Sequence, residues 1–107
     1  MIIYNITMNI AESIHDEWLQ WMQNKHIPQV IATGCFQSAR LVKVLVNEEM
    51  GGITYSVQFL ATNKENLNQF KEQHENPLQL EGIRLFGDQM LFFKTDLEII
   101  SEHNNNG

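Results

Sequence analysis

The chain of 107 residues is poor in cysteine and in basic side chains, and each shortage excludes a class of protein. The single cysteine, Cys35, excludes an internal disulfide and any zinc or iron–sulfur site that needs several thiolates. Seven lysine and arginine residues face thirteen acidic ones, and the net charge of -6 disfavours nucleic acid or an anionic membrane as partner. No apolar run approaches the roughly 20 residues that a membrane-spanning helix needs.

The N-terminal residues 1–5 also lack the positive region, the apolar segment and the cleavage pattern of a signal peptide. We therefore expect a cytoplasmic protein. The apolar share of 43% is typical of a globular chain that buries a core. The sequence predicts one domain over residues 1–101, followed by a disordered polar tail over residues 102–107.

The first third of the chain has a strand pattern followed by a helix pattern. Residues 2–10 alternate between apolar and mainly polar side chains, which predicts a strand with one apolar face. A tryptophan-rich stretch with helical spacing comes next, and Ser13 is its predicted N-cap. We expect a kink at His26, because Pro28 cannot donate within a continuing helix, and an end at Gly34.

The middle of the chain predicts two more strands. Residues 36–47 form the first, and their apolar character on both faces is typical of a strand that is covered on both sides. A turn over residues 48–52 leads into an alternating run over residues 53–60, which predicts an antiparallel neighbour.

The last third predicts a second helical segment and a fourth strand. Thr62 and Glu65 have the spacing of a capping box, Pro77 restarts the helix and Gly87 ends it. Residues 90–100 predict the final strand. The expected apolar stripe of the restarted helix consists of Leu78, Gly82, Leu85 and Phe86.

This βαββαβ order predicts an α+β fold, with a four-stranded antiparallel sheet and both helices on one face. Two helices can cover only one face of such a sheet. Apolar side chains of the second and fourth strands would remain on the other face, and leaving each in water forgoes roughly 1.5–3 kcal/mol. We therefore expect a homodimer in which the bare sheet faces pack together.

One spacing in the first helix resembles a known superfamily. The pattern Trp18-x-x-Trp21-x-x-x-x-His26-x-Pro28, followed by Gly34, Phe36 and Arg40, resembles the first-helix signature of the dimeric α+β barrels, which have ferredoxin-like folds. That superfamily includes cofactor-free monooxygenases, haem-degrading enzymes and muconolactone-isomerase-like proteins. The resemblance implies the same dimer and a pocket between sheet and helices, beside the first helix, but no single reaction.

From Met1 to about Ser101 the chain is also similar to a family of short bacterial proteins, a domain of unknown function. Three stretches carry this likeness: Met50–Gln58, Phe86–Asp88 and Lys94–Glu98. The family has no assigned activity, so the likeness implies fold rather than chemistry.

His26 is the strongest candidate for catalysis. Its ordinary pKa of about 6.5 suits proton transfer, and a kinked helix would turn its imidazole toward a cavity. The alternative, which we favour, is a structural hydrogen bond to a backbone carbonyl that Pro28 leaves free. His15, His74 and His103 have no metal-ligand spacing with His26, so we expect no metal and no cofactor.

Four other side chains are candidates for ligand binding beside His26. Trp18 and Trp21 would form the pocket wall, and Tyr55 would be a hydrogen-bond donor on the helix-covered side. Arg40 could bind a carboxylate if it faced the cavity. The alternative for Arg40, an ion pair with Asp96 or Glu98, is the one that we favour.

Three functions remain open at this point. The first is a homodimer that binds a small apolar or amphipathic molecule beside Trp18, Trp21, His26 and Tyr55. The second is a cofactor-independent enzyme of the monooxygenase or isomerase type that uses His26 for proton transfer. The third is a structural or regulatory dimer without a ligand, which a cavity well under roughly 300 Å³ would favour.

Overall fold

The structure, a computed structural model, describes residues 1–46 and 51–105. A π-helical turn at Met22–His26 joins the first two helices, and 3-10 turns lie at Glu12–Ile14 and Gly87–Gln89. The predicted turn over residues 48–52 falls largely outside the described residues. The main elements are β1 (Ile2–Ile10), α1 (His15–Trp21), α2 (Ile27–Ala32), β2 (Ser38–Lys43), β3 (Ile53–Ala61), α3 (Lys64–Gln73), α4 (Glu75–Phe86) and β4 (Met90–Glu98).

The four strands form one antiparallel sheet in the order β2-β3-β1-β4. In its register Tyr4 lies opposite Phe59 on β3 and opposite Asp96 on β4. This topology confirms the predicted α+β fold, in which β1 occupies the centre and β2 and β4 form the edges.

The helices pack on one face of this sheet and create the core there. Side chains at alternate positions of β1 and β3 point toward the helices and are buried, as the period of two predicts. The apolar face predicted for residues 2–10 is therefore the core face. Its fully buried large side chains, with those of the helices, are Trp18, Tyr4, Phe59, Ile10, Met22, Val30 and Val57.

Two predicted caps are wrong. Ser13 lies inside the 3-10 turn, so α1 begins at His15 without a side-chain cap, and the Ser13 hydroxyl accepts a long hydrogen bond from Gln89 Nε2. The second cap is Asn63 rather than the capping box of Thr62 and Glu65. Asn63 adopts an extended backbone, and its Oδ1 accepts from Asn66 N at 2.9 Å.

Element lengths and one stripe also differ from the predictions. The second strand covers only Ser38–Lys43 of the predicted 36–47, and as an edge strand it is largely exposed rather than covered on both sides. Leu85 is half exposed, because α4 turns it to solvent, whereas Gly82 and Phe86 of the same predicted stripe are buried. The last strand ends at Glu98, two residues before the predicted limit.

The residues beyond β4, through Asn105, contain no helix or strand. The predicted disorder of the tail stays a prediction. Within the described part of the chain, no helix has the length and apolar character needed to cross a membrane.

The face of the sheet that the helices leave uncovered has a polar centre and an apolar edge. Asn5 accepts a hydrogen bond from Ser56 at 2.5 Å, and Asn9 donates to Thr54 at 3.2 Å. The apolar edge belongs mainly to β4. Its exposed members on this face are Leu91, Phe93 and Leu97, and Val42 on β2 lies at the opposite edge.

Candidate functional site

The π-helical turn between α1 and α2 gives His26 its position. A proline ring clashes with the carbonyl four residues earlier in a regular α-helix, and the wider π turn before Pro28 relieves this clash. At the position of the predicted kink the structure has this π-helical turn, which ends at His26 and leads directly into α2. The turn buries His26 to 8% exposure and stacks its ring on Trp21, with ring centroids 4.7 Å apart.

A cavity lies between this turn, α4 and the helix-covered face of β1 and β4. The space that it encloses measures about 40 Å³. The surrounding depression measures about 460 Å³, but that volume includes open solvent, so the smaller volume limits a ligand. Six of the apolar residues that line the cavity are Ile6, Met8, Trp21, Leu78, Met90 and Phe92.

Gly82 allows a close approach between α4 and the neighbouring wall of the cavity. A Cβ atom at this position would lie 3.1 Å from Trp21 Cη2 and 3.2 Å from Met90 Cε, closer than ordinary contacts. The glycine thus lets α4 approach the indole ring and the end of β4. Because Trp21 stacks on His26, Gly82 also marks the end of the cavity that His26 occupies.

The other end of the cavity carries a charged group of three side chains. The Tyr4 hydroxyl donates to Glu75 Oε2, and Lys94 Nζ lies 3.3 Å from Glu75 Oε1. Burial raises the pKa of the Tyr4 phenol well above its ordinary value, and the hydrogen bond to the Glu75 carboxylate raises it further. Tyr4 therefore stays protonated, and Glu75 and Lys94 balance each other's charge.

Three polar atoms of the residues that line the cavity are buried without a hydrogen-bond partner among the described residues: Trp21 Nε1, His26 Nδ1 and Gln79 Oε1. Burial lowers the pKa of His26 to about 4, and the nearby Glu81 offsets this only in part. The imidazole is therefore neutral at pH 7. Gln79 lies one helical turn after Glu75 and faces the same cavity.

Of the predicted site residues, Trp21 and His26 line this cavity, whereas Trp18 and Tyr55 do not. Trp18 is fully buried in the core and packs against Tyr55, with ring centroids 5.0 Å apart. The Tyr55 hydroxyl bonds His15 Nε2 at 2.6 Å, and His15 Nδ1 lies 3.2 Å from Asp16 Oδ1. Tyr55 is thus on the helix-covered side, as predicted, but its hydroxyl already has a partner.

Arg40 lies on the uncovered face of the sheet, away from the cavity. Its Nη2 donates to Gln58 Oε1 at 3.1 Å, so the favoured ion pair with Asp96 or Glu98 is wrong. Asp96 instead pairs with Lys71 at 2.5 Å, on the helix-covered side. The alternation of β2 explains the position, because Arg40 aligns with Gln58, whose side chain also leaves the covered face.

Four polar residues of the cavity lining were not among the residues predicted from the sequence: Tyr4, Glu75, Gln79 and Lys94. In the sequence, Tyr4 is indistinguishable from the other members of an apolar strand face. Lys94 is simply a polar residue within the last strand. Glu75 and Gln79 precede and follow Pro77, and their spacing of four residues on one helix was the available signal.

Fold and cavity together define a ferredoxin-like α+β protein with a small interior space between sheet and helices. The chain belongs to the family described as "Domain of unknown function (DUF4286)", whose model matches residues 1–100. This membership confirms the predicted resemblance. Among functionally curated proteins, none is similar in sequence.

Several solved structures share the fold. An ethyl tert-butyl ether d (EthD) family protein from Bacillus halodurans is 14% identical with a TM-score of 0.69, over 94% of this chain and all of that one. A dimeric ferredoxin-like protein from an uncultured marine organism is 16% identical with a TM-score of 0.68, over 98% and 100%. A putative antibiotic biosynthesis monooxygenase from Deinococcus radiodurans is 10% identical with a TM-score of 0.63, over all of both chains. At such identities the likeness shows the fold alone.

Proposed function

We propose that the protein is a cytoplasmic homodimer that binds a small amphipathic molecule in the cavity between α4, the π turn and the sheet. The observation that carries this proposal is that polar atoms of the cavity lining, among them His26 Nδ1 and Gln79 Oε1, are buried without a partner in the described structure. Leaving a buried polar group unsatisfied costs about 1–3 kcal/mol. A ligand that hydrogen-bonds either atom would recover part of that cost.

The size of the cavity favours a second candidate, a structural dimer without a ligand. About 40 Å³ is far below the roughly 300 Å³ of a ligand pocket and has room for a few water molecules. Ligand binding therefore requires side chains to move. Met8 and Met90 on the wall supply that adaptability, because an unbranched thioether side chain changes rotamer readily.

The enzyme alternative is the weakest of the three. One structural neighbour is titled a putative antibiotic biosynthesis monooxygenase, which is the reason to consider such chemistry for this chain. A general base works best when its pKa lies near the operating pH. The pKa of His26, about 4, makes it a weak base at neutral pH, so His26 suits hydrogen bonding better than proton transfer.

The uncovered sheet face supports the homodimer. Leu91, Phe93 and Leu97 lie exposed on it, and burying each would contribute roughly 1.5–3 kcal/mol. The polar side chains at its centre bond one another, so a partner could cover them without leaving them unsatisfied. One of the structural neighbours is titled a dimeric ferredoxin-like protein, which agrees with this arrangement.

Native mass spectrometry and sedimentation at micromolar concentration test the dimer. We expect a dimer for the natural chain and a monomer for Phe93→Glu, since the new charge would be buried in the interface. Leu80→Glu is the matched control, because Leu80 is 59% exposed, close to the 63% of Phe93, but lies on α4. A monomeric natural chain, or a dimer that both variants leave intact, contradicts the proposal.

Titration with phenol and indole, followed by ¹H–¹⁵N NMR, tests the ligand site. Binding in the cavity is expected to shift the Trp21 indole signal and leave that of Trp18 unchanged. Gly82→Ala should weaken binding, because the added methyl group would crowd Trp21 and Met90 in the cavity wall. The fold should be preserved, because alanine favours a helix by about 1 kcal/mol over glycine. Ile83→Ala, on the exposed side of α4, is the control. No shift at Trp21 with either probe would favour the dimer without a ligand.

A further inference from the structure

The polar groups around the cavity are electrically balanced, which limits the charge of any molecule bound there. Lys94 pairs with Glu75 at 3.3 Å, and the Tyr4 hydroxyl donates a hydrogen bond to the same carboxylate. Lys25, next to His26 in the π turn, pairs with Glu81 at 2.7 Å. Each of these charges thus already has its counter-charge within the protein.

At the Tyr4 end of the cavity, a further ion pair lies beside that of Lys94 and Glu75. Lys71 Nζ lies 2.5 Å from Asp96 Oδ2 and 5.8 Å from the centre of the Tyr4 ring. The lining groups that remain without a partner among the described residues are uncharged: an amide oxygen of Gln79, an imidazole nitrogen of His26 and the indole N–H of Trp21. The pKa of His26, about 4, keeps that imidazole neutral at physiological pH.

We propose that the cavity selects a molecule that is uncharged at neutral pH, with a flat apolar body and a hydrogen-bond donor that meets Gln79 Oε1. This inference rests on the proposed ligand-binding function and adds the class of ligand to it. A charged ligand would bring an ion into a wall whose charges are already paired, and burying an unpaired charge is strongly unfavourable.

The shape of the cavity argues for the flat body. Glu75 and Gly82 are seven residues apart on α4, which places the two ends of the cavity about 10 Å apart along the helix. Between them the wall is formed by Trp21 and Phe92 as well as flexible methionine side chains. Aromatic walls favour a planar apolar ligand, because ring faces and edges pack against it.

Three molecules of nearly equal shape separate charge from size: benzamide is neutral, benzoate is an anion and benzamidinium is a cation. We expect benzamide to bind the dimer with a dissociation constant roughly tenfold or more below those of both charged analogues. The measurement is the ¹H–¹⁵N shift of the Trp21 indole group and the Gly82 amide, with the Trp18 indole group as the internal reference.

A variant of the acceptor tests the donor in the ligand. Gln79→Met keeps the length of the side chain and removes its amide, so it should reduce the affinity for benzamide roughly tenfold. Gln73→Met, on the exposed side of α3, should leave that affinity unchanged. Equal affinities of Gln79→Met and Gln73→Met for benzamide would contradict the role of Gln79.

The outcomes distinguish this inference from the function on which it rests. If benzoate or benzamidinium binds as tightly as benzamide, the charge selection is overturned while ligand binding stands. If phenol, indole and benzamide, which all carry a donor, bind Gln79→Met as tightly as they bind the natural chain, the proposed donor contact is overturned. If none of the probes binds, both the ligand site and its selectivity are overturned, and the dimer without a ligand is favoured.

Discussion

The two faces of the sheet use the same four strands for opposite purposes. On the covered face, Tyr4 lies at 2% exposure among Phe36, Phe59 and Phe70, with ring centroids 5.7 to 6.3 Å from its own. On the uncovered face, Phe93 is 63% exposed. A strand places alternate residues on opposite faces, so each strand contributes to both environments. Burial and composition both distinguish the faces, because the covered face is apolar and the centre of the uncovered face is polar.

The comparison explains why the cavity lies where it does. The covered face is packed densely by aromatic rings at the Tyr4 end and by α1 and α2 on the side of Trp18. Under α4 a small space of about 40 Å³ remains beside buried polar atoms, among them His26 Nδ1 and Gln79 Oε1. On the uncovered face polar side chains bond one another and apolar side chains are exposed, which suits a partner surface rather than a small ligand.

The largest expected difference in stability between the faces comes from removing one aromatic ring from each. Phe59→Ala should lower the free energy of unfolding by about 3–5 kcal/mol, because Phe59 is fully buried and its loss leaves a cavity. Phe93→Ala should change it by no more than about 0.5 kcal/mol in dilute solution, where single copies predominate. Urea unfolding measures both. Similar losses in the two variants would mean that the faces do not differ in burial.

The covered face should also make stability depend on pH through His26. Its pKa is about 4 in the folded state and about 6.5 when unfolded, so the unfolded chain takes up the proton first. Stability should therefore fall as the pH decreases from about 6.5 to 4, by about 3 kcal/mol from this residue. His26→Gln should remove that component, and His103→Gln, in the exposed tail, should keep it.

Urea unfolding at several pH values measures the free energy of unfolding of each variant. The contribution of His26 is the difference between the curves of the natural chain and His26→Gln. Carboxylates also titrate below pH 5, and subtracting one variant from the other cancels their common contribution. If the curves of the natural chain and His26→Gln run parallel from pH 7 to 4, His26 is not buried as the structure has it.

The sequence predicted the architecture because the hydrophobic pattern is strong. The alternation over residues 2–10 identified the covered face, and the order of elements identified the bare one, with Leu91, Phe93 and Leu97 on it. Helix starts were harder, because Ser13 and Thr62 are good caps by composition. In the structure, Asn63 caps α3 and a 3-10 turn precedes α1.

The cavity could be predicted only in part. The step from His26 to Pro28 marked the irregular turn and correctly drew attention to that region, although the turn is π-helical. Tyr4, Glu75 and Lys94 are brought together by the register of β1 and β4 and by the entry of α4, which no local pattern encodes. Arg40 shows the same limit, since a side chain's face depends on strand register.

The smallest expected effects compare one cation on each face. Lys94→Gln should cost about 1–2 kcal/mol, because it leaves the Glu75 carboxylate, whose side chain is 17% exposed, with Tyr4 but no counter-charge. Arg40→Gln should cost less than about 0.5 kcal/mol, because its bond to Gln58 is exposed and water can replace it. Urea unfolding in dilute solution measures both changes. A larger loss for Arg40→Gln would show that a single copy already uses the uncovered face for stability, and the contrast between the two faces would then fail.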